Sequence, residues 1–175
     1  MNGKALVAYA TRHGSTAGIA ETIAATLRAR GIETDLIPAR DVRSLEGYGL
    51  VVIGSAVYMF RWQGEALDFL KRFDRQLAAL PTWMFSSGPT GGDPKADERL
   101  AEILAEQPPA PGEAGKRALR LGVRGHATFA GRLADGASGF FERWVPKGDW
   151  RDPAAIAAWA NGIADTVEAA SLQPA

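Results

Sequence analysis

The run Tyr48–Gly54 (YGLVVIG) is the most continuously apolar stretch of the chain. A strand with one wet face alternates polar and apolar side chains, whereas an unbroken run has both faces covered. This predicts a central parallel strand, and parallel strands must be joined by crossovers that are ordinarily helices. Lys4–Ala10 (KALVAYA) reads as a second buried strand, Glu33–Pro38 (ETDLIP) as a short one and Thr82–Ser86 (TWMFS) as another. Ala118–Phe129 holds one or two more.

The intervening segments carry helical periodicity. Ser15–Arg30 places Ile19, Ile23 and Leu27 four residues apart, with Gly31 where a C-cap glycine belongs. Gln63–Leu80 puts Ala66, Leu67, Leu70, Phe73 and Leu77 on one helical face. Ala96–Glu106 is a further helix, and Pro153–Ala170 closes the chain with Pro153 near its first position. Pro108–Lys116 (PPAPGEAGK) reads as a surface loop and Leu172–Ala175 as a loose tail. The expectation is an α/β fold with a parallel sheet covered by helices on both faces, in one domain spanning residues 1–175.

Composition removes several classes of function. The chain carries 20 basic and 20 acidic residues, so it lacks the basic excess of a generic nucleic-acid surface. It has no cysteine, which excludes disulfides, thiolate metal sites and cysteine nucleophiles. Metal-ligand spacing and a Ser–His–Asp arrangement are likewise not found, and no catalytic residue is assigned. No apolar stretch approaches the roughly 20 residues that cross a bilayer, and no signal-peptide layout opens the chain; a cytoplasmic location is expected.

In an open parallel sheet, ligands sit beyond the carboxyl ends of the strands. Three loops there look chemical: Thr11–Thr16, Ser55–Trp62 and Ser86–Asp93. The first holds Thr11, Arg12, His13, Gly14, Ser15 and Thr16 between a strand and a helix. A helix start offers unpaired N–H groups and partial positive charge, and hydroxyls with a close glycine backbone complete a cradle for an anion. The plainer alternative is a well-capped helix start. His126 is expected to be a packed or hydrogen-bonded strand residue, and Asp149, Arg151 and Asp152 to cap and pin the last helix. Phe140, Phe141, Trp144 and Val145 form an apolar cluster suited to the core, a hydrophobic substrate or a second subunit.

The pattern of Thr11, Gly14 and Thr16, with Ser15 inside it, resembles the phosphate loop of flavodoxins; His13 departs from the usual hydroxyl. The form Thr-Arg-x-Gly-x-Thr resembles most the flavodoxin-type, oxygen-independent protoporphyrinogen oxidases. So do VVIGSAVYMFRWQGEALDFLKR, HATFAGRL and GDWRDPAAIAAWA, in that order along the chain. The resemblance implies a flavodoxin-like three-layer sandwich with strand order 2-1-3-4-5, and FMN at the switch point of the sheet. Thr11, Arg12, His13, Gly14, Ser15 and Thr16 would hold its phosphate. Ser55, Ala56, Val57 and Tyr58 would line one side of the ring, with Tyr58, Phe60 and Trp62 as candidates to cover its face. Ser87, Gly88, Pro89, Thr90, Gly91 and Gly92 would form the other side.

The implied function is that of an FMN-dependent oxidoreductase. Its partner would be a redox protein or a quinone-like or porphyrin-like small molecule. A homodimer suits this fold class, although no residue requires it. Two alternatives stand beside this reading: a non-enzymatic electron carrier, and a protein that binds a deazaflavin coenzyme. The neutral net charge counts against a plain carrier of the strongly acidic kind. High Ala, Arg and Gly usage is the compositional argument for the deazaflavin.

Overall fold

The computed structural model of the chain describes residues 3–58, 61–88, 110, 112–133 and 148–171. Five strands form a parallel sheet: β1 (Lys4–Ala10), β2 (Thr34–Pro38), β3 (Tyr48–Tyr58), β5 (Thr82–Gly88) and β6 (Gly125–Ala130). Their spatial order is β2-β1-β3-β5-β6, which among the parallel strands alone is the expected 2-1-3-4-5. The sheet has six strands rather than five, because β4 (Arg61–Trp62) folds back antiparallel onto the end of β3. A separate ribbon pairs β7 (Arg132–Leu133) with β8 (Gly148–Asp149).

The central strand behaves as an unbroken apolar run requires. Leu50, Val51, Val52 and Ile53 of β3 are each 0% exposed, so the residues facing either side are buried. On one face, Leu50 and Val52 join Ile19, Ile23 and Leu27 of α1 (Ser15–Ala29) with Ile156, Ala160 and Ile163 of α5 (Pro153–Ser171). On the other, Val51 and Ile53 join Phe69, Leu70 and Leu77 of α2 (Gly64–Arg72) and α3 (Asp74–Ala79). Ala114, Ala118 and Leu121 of α4 (Gly112–Leu121) complete that second core. Burying a large apolar side chain contributes about 1.5–3 kcal/mol, so these two cores fix the sheet and the level of its strand ends.

Two expectations are corrected. The stretch expected as one helix over Gln63–Leu80 is two helices, interrupted at Phe73 (φ −105°, ψ 17°). Phe69, Phe73 and Leu77 are all buried in the same core, so the apolar stripe runs through the break and periodicity alone does not register it. The loop expected over Pro108–Lys116 gives way at Gly112 to α4, whose buried stripe of small residues is masked in the sequence by proline and glycine. That helix runs to Leu121 and turns at Gly122 (φ 63°), so Ala118–Phe129 yields the single strand β6. The expected helix Ala96–Glu106, the tail Leu172–Ala175 and the cluster from Phe140 to Val145 lie outside the described residues.

Candidate functional site

The carboxyl ends of the strands are level. Ala10 of β1 pairs with Ser55 of β3, Ser55 with Ser86 of β5, and Ser87 with Phe129 of β6. Around these ends stand the loop between β1 and α1, the β3–β4 hairpin, and the crossing from β6 to β7.

The first loop is built on Gly14, which sits at the N-cap of α1 in the left-handed region (φ 80°). Its N–H donates to Thr11 Oγ1 over 3.0 Å, closing the loop on itself. Among the described residues no side chain caps the first turn of α1, which leaves its leading N–H groups with capacity for a ligand. Thr16 is fully buried. Among the described residues its Oγ1 is one of two buried side-chain polar atoms with no hydrogen-bond partner, the other being Arg117 Nε. A buried hydroxyl without a partner costs about 1–3 kcal/mol, and an oxyanion seated on the helix start would remove that cost. Arg12 and His13 are exposed beside the loop. The Arg12 guanidinium lies over the Tyr58 ring, 4.8 Å from its centroid.

Ser15 does other work. Its Oγ accepts the Arg132 N–H at 2.7 Å and lies 3.4 Å from Ser87 Oγ. The crossing residue Gly131 is buried against this pair; a Cβ there would stand 3.2 Å from Ser15 Oγ and 3.5 Å from Ser87 Oγ. Thus the phosphate-type loop, the end of β5 and the start of the β7–β8 ribbon close on one another. Behind them, Arg151 packs so closely on α1 that a Cβ on Gly18 would come within 1.9 Å of its Nη1. Arg151 Nε donates to Asp149 Oδ1 at 2.8 Å, and the guanidinium holds the Asp149 carboxyl down at about 2. Asp152 Oδ1 accepts the Ala154 and Ala155 N–H groups at 2.9 and 3.1 Å, capping α5 as its sequence position suggests.

The hairpin is held at two points. Ser55, expected to line a ring, is buried; its Oγ accepts the Gln63 N–H at 2.9 Å and donates to the Ala56 carbonyl. Trp62 is only 3% exposed, so its ring belongs to the core rather than to an open face. Its Nε1–H donates to Ser86 Oγ at 2.9 Å. Ser86 Oγ in turn lies 2.9 Å from His126 Nε2. Ala56, Val57 and Tyr58 are partly exposed at the strand end, with Gly88 of β5 close beside Val57. Pro89, Thr90, Gly91, Gly92 and Phe60 lie outside the described residues. Sequence reasoning put Ser86 at the start of a chemical loop without giving it a role, and passed over Gly131 and Arg132; a serine inside an apolar strand and a glycine just past one were the available signals.

Among the described residues no group of acidic or histidine side chains could hold a metal ion, and no helix is long and apolar enough to cross a membrane. A doubly covered parallel sheet, with an uncapped helix start and a glycine-turned hydroxyl loop at its carboxyl end, defines a flavodoxin-like protein. Residues 6–145 match the Flavodoxin domain family, and the chain belongs to it.

The curated protein "Protoporphyrinogen IX dehydrogenase [quinone]" of Escherichia coli (strain K12) is 28% identical over 85 residues. That match covers 47% of this chain and 47% of the relative, so the chain spans about half the length of the curated relatives it matches. Flavodoxin 2 from Bacillus cereus superposes with a TM-score of 0.61 at 20% identity, over 93% of this chain and 99% of that one. The rubredoxin oxygen:oxidoreductase of Desulfovibrio gigas gives 0.62 at 15% identity, over 97% of this chain and 37% of that one. At these identities the solved structures speak to the fold alone.

Proposed function

We propose that the chain binds FMN at the carboxyl ends of β1, β3 and β5 and serves as a cytoplasmic flavin-dependent oxidoreductase similar to the protoporphyrinogen dehydrogenases. The observation that carries this reading is the buried, unpartnered hydroxyl of Thr16 beside the uncapped first turn of α1. An orphaned hydroxyl in the first turn of a helix suits a phosphate monoester, which brings several strong acceptors and negative charge. The helix dipole and the neighbouring Arg12 add favourable potential. FMN, when bound, supplies the electron transfer.

The chain's own residues bind and orient. Thr11 and Gly14 shape the phosphate loop, and Thr16 with the N–H groups of the first turn of α1 would receive the phosphate. The partly exposed end of β3, Ala56 to Tyr58, and the end of β5, with Ser87 buried and Gly88 partly exposed, would border the ring, and Pro89 to Gly92 would continue that wall. Gly88, without a side chain, lets β5 run close against Val57, where a Cβ would stand 3.2 Å from the Val57 Cβ. Ser15 serves the reading indirectly, by locking Arg132 and Ser87 around the loop.

Mixing the anaerobic, cofactor-loaded protein with protoporphyrinogen and a quinone tests the activity. Turnover well above the rate of free FMN is the expected outcome. A loaded protein that shows none, yet exchanges electrons with a redox protein, would leave the flavin site standing and replace the enzyme by a carrier.

A further inference from the structure

A chain of side-chain hydrogen bonds crosses three strands just beneath the site. Trp62 closes the β3–β4 hairpin, where it pairs with Val57. Its indole is a donor only, so Ser86 Oγ accepts that bond. The Ser86 hydroxyl proton then has to go elsewhere, and His126 Nε2 lies 2.9 Å away on β6. With Nε2 as the acceptor, that proton is taken up and His126 is the neutral tautomer protonated on Nδ1, the assignment the proposal uses. Ser86 and Trp62 are fully or almost fully buried, so each bond replaces water that neither group can reach.

We propose that His126 is a positioning residue for the cofactor site: through Ser86 and Trp62 it holds the β3–β4 hairpin, and with it Val57 and Tyr58, against the strand ends. The inference rests on the FMN reading for what the hairpin borders, and on the hydrogen-bond chain for how it is held. An apolar residue at position 126 would leave the Ser86 proton without an acceptor. Ser86 would then compete for other partners, and the indole would lose its fixed anchor. The second hairpin anchor, the Gln63 N–H donating to Ser55 Oγ, is a separate bond that does not use the Ser86 hydroxyl. The hairpin therefore loosens at its β5 side without detaching.

The test is FMN titration of the full chain as wild type, Trp62→Phe, His126→Phe and the double variant, with His126→Gln as the conservative replacement. Each single substitution by Phe is expected to weaken FMN binding by about tenfold, the scale of one buried hydrogen bond lost. The double variant is expected to be no weaker than the worse single, because both break one chain. His126→Gln keeps a side-chain acceptor and is expected to recover most of the affinity. Hydrogen exchange of the Trp62 indole N–H, followed without cofactor, is expected to speed up in His126→Phe. If that variant does not fold, Ser86→Ala carries the same expectation.

Losses that multiply in the double variant, or an indole whose exchange ignores position 126, would overturn the inference. So would a wild type that takes FMN while the substitutions leave its affinity unchanged, and there the FMN reading survives. A wild type that takes no FMN at all overturns both.

Discussion

Arg12 of the β1–α1 loop stacks on Tyr58 at the end of β3, with its guanidinium carbon 4.8 Å from the ring centroid. The contact joins the β1–α1 loop to the β3–β4 hairpin. An exposed cation–π pair is worth about 0.5–1 kcal/mol. Arg12→Ala is therefore expected to lower unfolding stability by no more than about 1 kcal/mol, while loosening FMN by several-fold because a phosphate-side charge also goes. Arg12→Lys, which keeps the charge on a narrower head, is expected to fall between. Calorimetric titration of both variants checks this; an Arg12→Ala protein with undiminished FMN affinity would count against the contact.

Thr16→Val separates folding from binding. Its Oγ1 is buried without a partner among the described residues. Replacing a hydroxyl that makes no bond by a methyl is neutral or stabilising, whereas removing a bonded one costs roughly 1 kcal/mol. The cofactor-free variant is expected to unfold at the same or higher urea concentration than wild type. Its affinity for FMN is expected to drop about tenfold or more, and its affinity for riboflavin, which lacks the phosphate, to change little. A variant destabilised without cofactor and unaltered toward FMN would show the hydroxyl to be structural.

Two glycines make a contrast in packing. At Gly54 a Cβ would stand 2.0 Å from the Phe85 ring, and that ring is held by Phe129 and Trp159 in a buried aromatic cluster. At Gly18 a Cβ would meet the far end of Arg151, which can swing away. Gly54→Ala is expected to cost about 3 kcal/mol or more, since the ring has nowhere to go. Gly18→Ala is expected to stay within about 1 kcal/mol of wild type, helix propensity offsetting the displaced arginine. Urea unfolding of the pair decides, and equal costs would contradict the packing.

His126 sets an acid limb on stability. Burial pushes its imidazole down to about 4 from the ordinary 6.5. Between those values the unfolded chain binds a proton that the folded chain does not, so stability rises with pH across this window. The contribution is intact above about pH 7 and is lost as pH falls toward 4, on the order of 3 kcal/mol in total. Unfolding measured at pH 7.5 and pH 5 is expected to show this slope in wild type and to lose it in His126→Gln. An equal slope in both would place the titration elsewhere.

Strand β1 and the start of α1 were legible to the residue, because a polar loop with a glycine separates two strong patterns there. The unbroken run in β3 was legible as well, but its last four residues were not: Ser55–Tyr58 read as a loop, and their partners lie on β1 and β5 for Ser55, on β5 for Ala56 and on β4 for Val57 and Tyr58. Helix α4 hid behind turn-forming composition, and the break at Phe73 hid behind a stripe that stays in phase. Within the site, the loop from Thr11 to Thr16 was visible because its chemistry is local. The contacts of Ser15 with Arg132 and Ser87, and of Ser86 with Trp62 and His126, join residues 24 to 117 positions apart, and pattern reading has no access to such pairs.

The most direct test of the account is the visible absorption spectrum of the purified protein, followed by identification of the cofactor released on denaturation. Flavin bands with FMN released, or readily restored by adding FMN, are the expected result. A deazaflavin-type band would keep the phosphate loop and change the chemistry to hydride transfer. A colourless protein that refuses both coenzymes would contradict the central claim, and the loop from Thr11 to Thr16 would then be no more than the start of a helix.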